Sequence, residues 1–185
     1  MSRLLSLFLC VLTMLPLAAH ADTWSPSVRK SLAAALECRS LLASNAPALA
    51  SLTPLPAATG RQGHQALPPE NFRLFGLPVH KIWLFHDGGN KAASMVAIAA
   101  FQENVDWKHL VRAARLHEES LMGETAFVRQ TAIGLLEGWR EKPFWVEQAE
   151  ASQPAAAKAR HVYLACGTGG ETTNVLPLRP EARKP

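Results

Sequence analysis

The 185-residue sequence predicts an α+β fold: a small antiparallel sheet with two helices packed on one face, in a single domain. Three observations predict it. Residues 77–86 and 94–101 are rich in β-branched, aromatic and small apolar side chains, as strands are. Between them stands Asp87-Gly88-Gly89-Asn90, whose glycines reach positive φ without penalty and suit a hairpin connection. Trp107, Leu110, Val111 and Ala114 then recur at helical spacing, as do Val28, Leu32, Ala35, Leu36, Arg39 and Leu42 near the amino end. Each helix has one apolar stripe that a sheet can bury.

In the first strand, alternation places Val79, Trp83 and Phe85 on one face with Lys81, and Ile82 and Leu84 on the other with His80 and His86. Two partly apolar faces mark an inner strand. The second strand sets Met95, Ala97, Ala99 and Phe101 against Val96 and Ile98, and its alanines leave room for the following helix to pack closely. Asn104 or Asp106 can cap that helix, near Trp107–Leu116, by accepting hydrogen bonds from its first free amides. Lys108, Arg112 and Arg115 line its other side, either as a solvated face or as a docking surface for an acidic partner.

Residues 1–21 have the layout of a secretory signal peptide, with Arg3, an apolar run from Leu4 to Leu17, and Ala19-His20-Ala21 before a cleavage point at Asp22. The run falls short of the about 20 residues a membrane span needs, so no stable span is expected after cleavage. A periplasmic or secreted location follows. Removing 21 residues from 185 leaves 164, enough for one domain with a real core. The formal charge of +4 drops to +3 without Arg3, too modest a surplus for a nucleic-acid binder.

The domain is expected over 22–175, with a flexible tail at 176–185. Ser25 and Pro26 open a helix expected to span about Ser27–Ser44. Residues 46–70, with Pro47, Pro54, Pro56, Pro68 and Pro69, read as a proline-rich connector. His117 to Gly123 should end the second helix and turn. Ala126–Ile133 admits a third strand or a helix running through Leu136, and the segment opening at Pro143 admits a strand or a short helix. Arg160–Cys166 alternates well and stops at Gly167-Thr168-Gly169-Gly170, a final strand and turn.

Two cysteines survive maturation, and in an oxidising compartment Cys38 and Cys166 suggest a disulfide. Closing so long a loop stabilises the chain by roughly 5 kcal/mol in the chain-entropy description. The rival reading makes Cys166 a nucleophile with His161 or another histidine as base. None of the six remaining histidines has a metal-binding spacing. His80 and His86 share a strand face but stand about 20 Å apart, and His117-Glu118-Glu119 lacks the second histidine of a zinc-protease helix. No motif assigns a catalytic, cofactor-binding or metal-binding residue. Trp139 and Trp145 flank Arg140, and such an aromatic and cationic cluster serves either core packing or a protein interface.

The candidate partner-binding residues are therefore Arg112, Arg115, Trp139, Arg140 and Trp145. The expected function is that of an exported periplasmic binding protein without cofactor, of the inhibitor or immunity type, acting on a cell-envelope enzyme or toxin. An accessory subunit of an envelope secretion or conjugation apparatus and a small periplasmic hydrolase are the alternatives.

Overall fold

A computed structural model describes residues 24–55, 61–87, 95–121, 124–151 and 161–168. The leader at 1–21, the Gly88-Gly89-Asn90 turn, the Gly169-Gly170 turn and the tail at 176–185 lie outside the described residues.

Helix α1 (Pro26–Leu36) begins as the sequence requires, with the Ser25 hydroxyl accepting from the Val28 amide at 3.2 Å. It ends well short of Ser44. Cys38 adopts the left-handed region (φ 58°), and the Cys38 and Arg39 amides turn back onto the carbonyls of Ala35 and Ala34 at 3.1 and 2.8 Å. That is a Schellman ending with cysteine where glycine is usual. Just before the helix, Trp24 is buried edge-on against Phe72, ring centroids 5.3 Å apart, and so fixes the chain close to the expected cleavage point.

The proline-rich stretch is structured rather than a bare connector. It forms a 3-10 turn over Pro47–Ser51 that buries Ala48 and Leu49, then strands β1 (Thr53–Leu55) and β2 (Arg61–Ala66). Strand β3 (Arg73–Leu74) returns into β4 (Leu77–Asp87) through Phe75-Gly76, both at positive φ (51° and 80°), the backbone of a tight primed hairpin turn. Strand β5 (Met95–Phe101) and helix α2 (Trp107–Ala114) follow where expected, and Asp106 caps α2 by accepting from His109 at 2.8 Å.

The second half is more strand-rich than expected. His117–Leu121 is strand β6, not a helix end, because Arg115 takes the left-handed conformation (φ 55°) and closes α2 at Ala114, before the expected Leu116. The open choice at Ala126–Ile133 resolves to strand β7 (Glu124–Gln130), and Gly134–Trp139 forms β8. The segment after Pro143 is a short helix, α3 (Phe144–Glu150), and the last strand is β9 (Tyr163–Thr168).

The strands form one antiparallel sheet in the order β1-β2-β4-β5-β9-β8-β7-β6, with β3 beside β4. Sheet-dominated α+β is therefore the observed class. One core gathers Leu32 and Leu36 of α1, Leu110 and Ala114 of α2, and Ile82, Leu84, Ala97, Ala99, Phe101, Leu164 and Cys166 of the sheet. A second core holds Trp83, Phe85, Ile98, Ala100, Tyr163 and Ala165 with Val146 of α3.

Simple alternation misplaces one residue in β4. Val79 belongs with Ile82 and Leu84, not with Trp83 and Phe85, because the pairing with β5 shifts between Val79 and Lys81. A bulge inserts one residue and inverts the parity beyond it. The alanines Ala97 and Ala99 of β5 share the first core with residues of both α1 and α2, and α1 packs on β5. Helix α2 lies further along the sheet, where Trp107 meets Phe127 edge-on at 5.0 Å and crosses Gly138. A Cβ on Gly138 would come within 2.9 Å of the Trp107 ring and 2.6 Å of Leu116, so only glycine admits this packing.

Candidate functional site

Antiparallel pairing brings the carboxyl ends of β5 and β8 beside the amino end of β9, through Ala100↔Tyr163 and Trp139↔Tyr163. The segments leaving those ends enclose an open cleft of about 730 Å³. Its walls carry Asp106, Trp107 and Lys108 from the start of α2, Arg140 and Lys142 from the turn after β8, and His161 and Tyr163 at β9. Three cations face one carboxylate, and aromatic rings separate them.

Arg140 stacks over the Trp107 ring at 5.1 Å, a cation–π contact that holds the guanidinium while leaving its charge unneutralised. Among the described residues neither Lys108 nor Arg140 has an ion-pair partner. Lys142 is bound differently. Its ammonium meets Glu150 at 2.8 Å, and the other oxygen of Glu150 takes Lys81 at 3.1 Å. Burial alone would raise the Glu150 pKa, but hydrogen bonds from Lys142 and Lys81 outweigh it and leave the group below the ordinary range.

His161 is positioned by its backbone neighbours. Its Nδ1–H donates to the Phe101 carbonyl at 2.7 Å, since a carbonyl can only accept, and this leaves Nε2 as the acceptor of the neutral ring. His80 stacks on it with centroids 4.6 Å apart and planes inclined by 12°. Burial first, then His161 and Lys81, push the His80 pKa down, while Glu103 and Glu150 oppose them. Tyr163 is raised to about 12 by burial and by the carboxylates of Glu150 and Glu147, so it remains a neutral phenol.

Of the five candidate partner-binding residues Arg140 alone lines this cleft, joined there by Lys108 of the basic helix stripe and by His161. Arg112 and Arg115 are exposed on α2, outside it. Trp139 and Trp145 are half-buried and pack against the second core, Trp145 tilted on Phe85 at 5.9 Å. His80, Lys108, Lys142 and His161 carry no joint signal in sequence, because only the register of β4, β5, β9 and β8 brings them together.

Cys166 is not a nucleophile. It is buried and joined to Cys38 with Sγ–Sγ 2.08 Å and Cα–Cα 5.3 Å, which ties α1 to the middle of the sheet. His86 and His80 do not act together: His86 is buried and His80 exposed. A second electrostatic feature stands outside the cleft. Glu137 on β8 is 3% exposed, neither carboxylate oxygen has a hydrogen-bond partner, and burial raises its pKa to about 7. The Trp139 indole lies near enough to oppose that rise without meeting the carboxylate in hydrogen-bond geometry.

Among the described residues no three His, Cys, Asp or Glu side chains assemble to hold a metal ion, and no helix is long and apolar enough to cross a membrane. Comparison with protein-family models, with curated proteins and with solved structures returns no match.

Proposed function

We propose that the protein is an exported binding protein of the cell envelope that seats an acidic surface of a partner protein in this cleft, as an inhibitor or immunity-type protein does. The observation that carries the reading is the pair Lys108 and Arg140, two exposed cations beside a half-buried tryptophan, with no ion-pair partner for either among the described residues. Such charges steer association and select partners of opposite sign, and aromatic and arginine side chains anchor protein interfaces. The disulfide fits an oxidising, extracytoplasmic compartment.

The test is capture from periplasmic extract with the wild-type chain and with Lys108→Glu/Arg140→Glu, a reversal at two exposed positions. The wild type should retain an envelope enzyme or toxin whose activity falls in the complex, and the double variant should lose it, with a weaker dependence on salt. Equal capture by both chains refutes the cleft as the interface.

A further inference from the structure

At the other end of β4 and β5, three side chains that the cleft does not use stand together. His86 and Met95 are direct cross-strand partners, and His64 on β2 pairs with Leu84, one diagonal step from His86. All three lie on the face of the core that holds Leu84 and Met95. Direct partners stand about 5 Å apart and diagonal neighbours about 7–8 Å. One ion with roughly 2 Å bonds to imidazole nitrogen can be reached by side chains at that spacing.

The donor atoms are unspent. His86 is buried, and its Nε2–H donates to the Leu42 carbonyl at 2.8 Å, which leaves the Nδ1 lone pair of the neutral ring facing no donor. A back nitrogen tied to a carbonyl is how metal-bound histidines are fixed in tautomer and orientation. His64 also buries an Nδ1 without a partner, yet the residue is only half-buried, which gives solvent a route to the group. Met95 is held at this position by Thr168, whose hydroxyl accepts from the Met95 amide at 3.0 Å and donates to its carbonyl at 3.2 Å. Nitrogen, oxygen and thiolate donors alone make no group of three here, but a thioether completes one. Two imidazoles and a thioether form a soft set that suits monovalent copper better than zinc.

We propose that His64, His86 and Met95 form a binding site for Cu(I). The test is anaerobic titration of the purified, disulfide-intact chain with Cu(I) against a colorimetric Cu(I) chelator, together with X-ray absorption of the loaded protein. Stoichiometric competition and a spectrum with both nitrogen and sulfur neighbours are expected. Met95→Leu conserves volume and His64→Gln changes a half-buried position, so both should keep the circular dichroism of the wild type. Each should weaken Cu(I) binding by roughly 10- to 100-fold or more, and Met95→Leu should remove the sulfur neighbour. Failure to compete with the chelator overturns the proposal, as does unchanged affinity in both folded variants.

Discussion

Glu137 supplies a sharp test of the packing on the second face. Its cross-strand neighbours are Val128 and Ala165, and among the described residues its carboxylate oxygens have no hydrogen-bond partner. The unfolded chain loses this proton near the usual 4.5, whereas the folded chain keeps it up to about 7. Between those values the unfolded state binds fewer protons than the folded state, so ionisation favours unfolding and stability falls as pH rises. At roughly 1.4 kcal/mol per pH unit the loss reaches about 3 kcal/mol above pH 7 and vanishes below pH 4.5. Glu137→Gln keeps the shape and cannot ionise. Urea unfolding of both chains, with the disulfide intact, should find them within about 1 kcal/mol near pH 4.5 and the variant ahead by about 3 kcal/mol near pH 8. Other titrating groups cancel in the comparison. A difference that is the same at both pH values, or a variant less stable near pH 8, would show that the carboxylate is ionised and partnered in the folded state.

Denatured, unreduced protein should release no thiol from Cys38 or Cys166, and replacing both by serine should lower the unfolding free energy by roughly 5 kcal/mol; a loss below about 1 kcal/mol would contradict the stapling role. Arg115→Gly should stabilise the fold by about 1 kcal/mol in thermal or urea unfolding, because an exposed arginine sits at φ 55° where glycine is unstrained. Lower stability in that variant would mean that the Arg115 side chain holds a contact outweighing the strain. The His80 ring should titrate below 6.5 by proton NMR, and His161→Ala should move it only part of the way back, since burial is the larger cause. Full recovery would assign the shift to His161 instead.

What was legible in the sequence was local. The Trp107–Leu110–Val111–Ala114 stripe, the Asp106 cap and the two long apolar strands follow from spacing and side-chain chemistry, and the structure has them. The Cys38–Cys166 bond was legible because, with Cys10 in the expected leader, the other two cysteines leave one pairing. The misses have physical reasons. Cys38 and Arg115 end helices in the left-handed conformation that sequence reading expects of glycine or asparagine. Strand β6 is too polar, as His-Glu-Glu-Ser, to look like a strand until β7 pairs with it. The bulge at Val79/Lys81 has no marker such as glycine, yet it decides which face every side chain before it takes. Of the cleft, Arg140 was visible as a cation beside tryptophan, but its neighbours come from the separate segments 106–108 and 161–163, which register brings to it.

The last strand explains why that register is so consequential. Strand β9 is final in sequence but sits between β5 and β8, so among the described strands it is the one that hydrogen-bonds the half built from β1, β2, β4 and β5 to the half built from β6, β7 and β8. The cleft needs both halves, because Lys108 and Trp107 follow β5 while Arg140 and Lys142 follow β8. The walls also meet directly, because Arg140 stacks over Trp107 and Trp107 packs on Phe127 of β7 and Gly138 of β8. Cys166 lies within this strand, paired with Ala97 on one side and Leu136 on the other, and the disulfide fixes it to the end of α1. The bond therefore restrains the strand that carries Tyr163 and the third wall of the cleft, in addition to limiting the unfolded chain.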